Sequence, residues 1–281
     1  LLAMSLLVGG LSVLVLDLGR PDRLIIAMTY YNFKSIFAWN IFLYTGFLGV
    51  VAVYLWMMFE PRMNRFIGSA GKVAFTWRLV LTIGTGSIFG VLVAREAFGS
   101  VVLIPMFIAM SLSFGTAVML LAIILMFRMS NLSVKDEVVT RLRSLLAYFV
   151  IAVAFFVAVD HLTRLYAVGY TGVERFLLVE GGIYPVLFWA GQCLLGTVIP
   201  VIVLLTPRLA GRLPTVVASL LVLLGAFAQL YVLIVGGQAF PMDIFPGYTE
   251  NSSYFDGVVA GYHPSLPELA LGLGGIGLAL L

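Results

Sequence analysis

The sequence predicts an all-α, polytopic membrane protein. Three observations carry that prediction. Hydrophobic residues make up 62% of the chain and charged residues only 10%, against roughly 25% charged in a soluble domain. That is too few charges to coat a soluble globule of 281 residues. The mean hydropathy is +1.12. The apolar residues also gather in eight runs, 1–16, 36–59, 73–94, 100–127, 144–167, 183–206, 215–236 and 265–281. A helix needs roughly 20 such residues to cross about 30 Å of hydrocarbon. Regular period-two alternation is lacking, which argues against an outer-membrane barrel. This composition excludes a water-soluble enzyme, a disordered chain and a nucleic-acid binder.

The elements follow in order. Run 1–16 begins inside apolar sequence without an initiator Met, and 265–281 stops inside another, so both read as truncated helices. The first run ends at Asp17-Leu18-Gly19-Arg20-Pro21-Asp22-Arg23. Pro21 has no N–H to donate and Gly19 permits a left-handed cap, so a helix end is expected here. An amphipathic stretch, 24–34, leads into run 36–59. After a basic connection at 60–72, run 73–94 carries Arg78, Thr82 and Thr85 at i, i+4 and i+7, a stripe on one face. Runs 100–127 and 144–167 flank the basic connection 128–143. The second of these ends in Asp160, His161 and Arg164. Connection 168–182 and runs 183–206 and 215–236 follow, and then a long loop, 237–264. The acid-plus-Arg endings of runs 1–16 and 144–167 resemble each other, which hints at two parallel repeats.

The expected architecture is two four-helix bundles plus extra helices. Residues 1–94 form the remainder of the first bundle and 100–236 the second. Residues 237–264 form an outer loop, and 265–281 start a further transmembrane helix. The connections 17–34, 95–99, 168–182 and 237–264 hold five Lys and Arg, whereas 60–72, 128–143 and 207–214 hold nine. The positive-inside rule places the second set in the cytoplasm. The net charge of +3 is the ordinary consequence of that bias.

With one cysteine, Cys193, and two histidines, His161 and His263, the protein lacks the usual ligand sets for haem, an iron–sulfur cluster or a metal. Any further redox machinery belongs to other subunits. Cys193 reads as a core residue.

Several groups could carry chemistry. Asp160 and Arg164 are four apart and share a helix face, and His161 lies three from Arg164. Ionisable groups at membrane depth are costly and are functional by default; the alternative is a structural pair with Arg164 snorkelling outward. Glu180 and Gln229 are candidates to join them. The Asp17–Arg23 segment is either a rigid turn of paired ions or the rim of a polar-headed ligand site. The Arg78, Thr82 and Thr85 stripe is either a proton path or helix–helix glue, and Gly84, Gly86 and Gly90 permit close packing beside it. Loop 237–264 has no Lys or Arg and is rich in aromatics, Phe240, Phe245, Tyr248, Tyr254, Phe255 and Tyr262. A loop this long and aromatic suits a partner interface.

The Asp17–Arg23 motif, followed by Asn32-Phe33-Lys34-Ser35 at the next helix, resembles the NrfD/PsrC family, the membrane subunits of polysulfide-reductase-like complexes. Pro264-Ser265-Leu266-Pro267-Glu268 resembles it too. The segment Gly84–Gly90 with Ala94-Arg95-Glu96 is similar to the DsrP-like branch of sulfur-metabolism complexes. The likeness runs through nearly the whole sequence in helix order. It implies two four-helix bundles and a quinone or quinol site near the outer face, menaquinone being the expected quinone. It also implies an extracytoplasmic, ferredoxin-like iron–sulfur subunit, further redox subunits, and no haem or cluster in this chain. A likeness to ten-helix members would put about two helices before Leu1, with part of the quinone site on them.

The expected function is therefore quinone binding, electron exchange with the external partner and proton handling, within a prokaryotic cell membrane. The subunit is not catalytic alone. Asp17, Arg20, Arg95, Asp160, His161 and Arg164 are the expected quinone or proton residues. Arg78, Thr82 and Thr85 offer a proton path, and Asp22, Arg23, Phe245, Tyr248, Tyr254 and Phe255 a docking surface. A secondary transporter with an intramembrane site is the alternative, against which the charges cluster at outer helix ends. A cytochrome b stands third and would show in a visible spectrum.

Overall fold

The computed structural model describes residues 2–132, 134–242 and 257–280, and all the regular structure among them is helical. The helices are α1 (Leu2–Asp17), α2 (Leu24–Thr29), α3 (Ile36–Phe59), α4 (Ile67–Gly90), α5 (Leu103–Met129), α6 (Asp136–Tyr166), α7 (Thr171–Arg175), α8 (Ile183–Leu205), α9 (Arg212–Ala239) and α10 (Leu266–Leu280). Among the described residues, α3, α4, α5, α6, α8 and α9 are long and apolar enough to cross a membrane, while α1 and α10 are shorter apolar helices. Each of the eight predicted runs falls mainly on a helix, although run 73–94 overruns α4, which ends at Gly90, and run 100–127 starts ahead of α5 at Leu103; the molecule is a multi-pass membrane protein. Trp39, Trp56, Phe75, Phe155, Trp189 and Phe227 are exposed on helix flanks. Lipid, rather than protein, satisfies such faces.

The helix ends depart from the expectation in an instructive way. Residues 60–72 are not an irregular loop: a 3-10 turn, Pro61–Phe66, runs straight into α4. Likewise 128–143 is mostly helix, because α6 starts at Asp136. Charged residues end an apolar run without ending a helix, since their long side chains reach water from the helix flank. At the bend after Asp17, the axes of Leu2–Asp17 and Pro21–Thr29 differ by 114°. Gly19 does not supply the left-handed cap, since the glycines with positive φ among the described residues are Gly99 and Gly182. Pro21 instead opens a new 3-10 turn, where its missing N–H costs nothing.

Two compact units divide the protein, Leu1–Ile88 with His263–Leu281, and Phe89–Tyr262. In the first, α10 packs on α1 through Gly9 and Gly275, where a methyl added to Gly9 would lie 2.7 Å from the Gly275 carbonyl oxygen. Phe47, Val51 and Leu81 form the core of α3 and α4, and Trp77 Nε1 donates to the Leu43 carbonyl at 3.0 Å.

In the second unit, α5 packs on α6 and α9, and α8 on α6 and α9. Helix α9 is the most enclosed, with 44% of its apolar window buried against 11% for α3. One core gathers Leu120, Leu146, Ala218 and Val222, and another Leu103, Met106, Val173, Leu177, Phe188 and Val232. Arg143 is buried and closes the end of α8. Its Nε donates to Leu204 O at 2.9 Å and its Nη2 to Val203 O at 2.7 Å and Thr206 O at 3.0 Å. Val203 and Leu204 lie in the last turn of α8, where carbonyls lack an intrahelical partner.

Helices α8 and α9 touch backbone to backbone. A Cβ at Gly225 would sit 2.2 Å from Gly196 Cα, whereas one at Gly10 meets nothing within 4 Å. Gly225→Ala is therefore expected to cost about 1–3 kcal/mol by overpacking, seen as a lower thermal midpoint in detergent. Gly10→Ala should leave the midpoint unchanged or raise it slightly, because alanine is the better helix former.

Candidate functional site

The site lies at the C-terminal end of α6, the end that the Lys and Arg count assigns to the outside. The spacing of four puts Asp160 and Arg164 on one face, and packing turns that face inward, leaving them 4% and 5% exposed. Arg164 Nη2 lies 3.2 Å from Asp160 Oδ2. Ser100, in the approach to α5, donates to Asp160 Oδ1 at 2.5 Å. Arg164 Nη1 donates to the Ala97 carbonyl.

A 3-10 turn, Val168–Tyr170, then reverses the direction into α7. Val173 and Leu177, four apart, are both buried and anchor this return. Glu174 rides on the same face and is fully buried. His161 Nδ1 and Glu174 Oε2 are 2.7 Å apart, and Arg164 Nε lies 3.9 Å from Glu174 Oε1. The His161 ring meets Phe188 edge to face at 4.8 Å.

A cavity of about 30 Å³ adjoins these groups. Asp160, His161, Arg164, Gln192 and Gln229 line it, with Met106, Val157 and Leu177 among its apolar walls. Glu174 Oε1 and Gln229 Nε2 are buried without a hydrogen-bond partner, and Arg164 Nη2 has its ion-pair contact with Asp160 but no well-aligned hydrogen bond. The space suits one or two water molecules and is far below the roughly 300 Å³ at which ligand pockets begin. A quinone ring does not fit it. Three π-helical stretches, Phe176–Glu180, Leu187–Val198 and Tyr231–Gly236, contribute Leu177, Gln192 and Val232 to its lining. Such widened turns are rare and often mark functional sites.

Charge counting shows what the cluster can do. With His161 neutral, two carboxylates face one guanidinium and the buried group carries one net negative charge. One proton, on His161 or a carboxylate, makes it neutral.

Glu180, expected to join this cluster, does not. It is exposed and accepts from Arg175 Nε at 2.7 Å. The short helix α7 turns Glu174 inward instead, six residues earlier. Gln229 does reach the cavity. Glu174, Ser100 and Gln192 were not singled out from sequence; for Glu174 the available signal was its place between Val173 and Leu177.

The other candidates sit elsewhere. Arg95 Nη1 donates to Gln238 O at 3.0 Å and Phe240 O at 3.3 Å, tying down the end of α9. It lines a separate cavity of about 370 Å³ with Glu96, Gly237 and Phe240. Phe240 packs on Phe176 at 5.6 Å. Phe245, Tyr248, Tyr254 and Phe255 lie outside the described residues. In the first unit, Asp17, Arg20, Asp22 and Arg23 are all exposed at the bend between α1 and α2. Arg78 stands over the Phe47 ring at 5.7 Å. Thr82 donates to Arg78 O, and Thr85 to Leu81 O. Asn40 Nδ2 donates to Gly84 O at 3.0 Å, and its Oδ1 accepts from Thr85 at 3.5 Å. The stripe thus takes part in hydrogen bonds that join α3 to α4.

A family model described as "Polysulphide reductase, NrfD" matches residues 1–242. The Hdr-like menaquinol oxidoreductase integral membrane subunit of Archaeoglobus fulgidus is 28% identical over 275 residues, covering 95% of this protein and 68% of that one. A polysulfide reductase chain from Wolinella succinogenes is 26% identical over 253 residues, 82% of the present sequence and 78% of its own length. The protein NrfD of Escherichia coli is 25% identical over 270 residues, 85% and 83% respectively.

Proposed function

Because this chain belongs to the NrfD family, we propose that it is the membrane subunit of a redox complex, exchanging electrons between the quinone pool and an extracytoplasmic iron–sulfur subunit. Menaquinol is the favoured substrate, since a relative matched along 95% of this sequence is named for its oxidation. The observation that carries the chemistry is the sealed cluster of Asp160, His161, Arg164 and Glu174.

Oxidation of a quinol yields a quinone, two electrons and two protons. The electrons pass to the iron–sulfur partner. The protons need an acceptor near the membrane face, and a buried group with one net negative charge supplies one. The pair His161 and Glu174, 2.7 Å apart, is the candidate acceptor of one of the two protons. Arg164 limits the charge left when that proton departs. The quinone head belongs outside the small cavity; its candidate contacts are Asp17 and Arg20 in the first unit and, taken separately, Arg95 in the second. Asp22, Arg23 and the aromatics of loop 237–264 are the candidate docking surface.

Affinity purification of this protein from native membranes tests the reading. A cluster-bearing protein should travel with it, and the complex should reduce an acceptor with a menaquinol analogue as donor. A protein that runs alone or as a homo-oligomer, without such activity, would favour a transporter.

A further inference from the structure

Where α3 ends and α4 begins, the surface of the first unit opens into a groove of about 620 Å³. Tyr54, from the last turns of α3, forms one wall. Gly68, Gly71, Lys72 and Phe75, with Ile67 and Thr76, all from the first turns of α4, form the rest. The glycines are three apart and share a face. A methyl at Gly71 would rest 3.6 Å from the Tyr54 ring, and one at Gly68 would meet no atom within 4 Å. The groove therefore exists because two side chains are missing from its floor.

Its chemistry is graded. Lys72 is exposed and has no carboxylate partner among the described residues. Arg62 and Arg65 precede it, and Glu60 is the only acid between 60 and 72. This end of the helix pair thus carries a cationic excess. The Tyr54 phenol is amphipathic, and Phe75, 57% exposed, continues the groove toward the apolar interior. Cation, phenol and hydrocarbon succeed one another as phosphate, glycerol and acyl chain do in a phospholipid. Basic pockets at this level attract anionic headgroups, and lysine reaches them by snorkelling.

We propose that this groove is a binding site for an anionic phospholipid, with Lys72 reaching back to the phosphate over Gly68 and Gly71 and the first part of an acyl chain lying along Phe75. A zwitterionic lipid would place its own cation against Lys72 and binds less well.

The test uses the whole complex, delipidated in detergent, then given phosphatidylglycerol or phosphatidylcholine and weighed by native mass spectrometry. Wild type should retain phosphatidylglycerol at least tenfold better than phosphatidylcholine. Lys72→Glu should abolish that preference, and Gly68→Leu should lower retention of both lipids. Because the Gly68 position is open, that second variant tests the groove without disturbing the fold. Arg128→Glu, an exposed cation at the end of α5, should leave retention unchanged. Equal retention of the two lipids by wild type, or undiminished retention by both groove variants, would overturn the site and leave only an annular lipid. So would a cross-link showing another subunit seated in the groove.

Discussion

Arg164→Leu is expected to reduce quinol-linked turnover to below one-tenth and to lower the thermal midpoint of the complex. Arg164 is 5% exposed and faces both Asp160 and Glu174. Without it, two buried carboxylates confront each other with no cation between them. Removing one partner from a buried ionic group costs about 3–5 kcal/mol, because the remaining charge is stranded. The Ala97 carbonyl also loses its donor. A carboxylate escapes the cost by taking up a proton, and under the proposed function that fills the position the quinol's proton needs. Arg175→Leu is the control. Arg175 pairs with Glu180 at an exposed site, where such pairs contribute about 0–1 kcal/mol. Its midpoint and turnover should stay close to wild type. An Arg164→Leu complex with normal stability and rate would show that the guanidinium is dispensable.

Glu174→Gln carries the second large effect. The amide keeps the shape of the side chain and can still accept from His161, so the complex should assemble. It cannot hold the exchangeable proton. General acid–base groups contribute typically 10²–10⁴-fold to a rate, so turnover should fall by about tenfold or more. Glu180→Gln changes the same chemistry six residues on, at an exposed position, and should leave turnover within about twofold of wild type. This contrast separates a buried proton site from a general need for carboxylates near α7. Equal losses in the two variants would remove the special role of Glu174.

Much of the fold was legible because lipid forces length and composition together. Run 36–59 coincides with α3 as observed, and the change of direction falls between Asp17 and Pro21, inside the motif where a helix end was expected. The pairing of Asp160 with Arg164 could be read from their spacing, since i and i+4 share a face in any helix. Other features depend on what the backbone returns to. Glu174 is buried because α7 folds back beside α6, and five residues are too few for periodicity to announce a helix. Glu180 looked equivalent in sequence, yet it falls on the exposed side of the following π turn. Arg143 counted only as an inner charge; its role in closing α8 rests on carbonyls some sixty residues away. The small size of the cavity, which excludes a quinone ring, is a property of side-chain packing that no local pattern encodes.

The decisive measurement is the pH dependence of menaquinol oxidation by the intact complex in liposomes, wild type against Glu174→Gln. If the buried cluster takes the proton, the wild-type profile has a limb set by the cluster. In Glu174→Gln that limb moves or disappears while the maximal rate falls. A Glu174→Gln complex with the wild-type rate and an unchanged profile would make the cluster structural. Proton handling would then belong elsewhere, with Arg78, Thr82 and Thr85 the next residues to test.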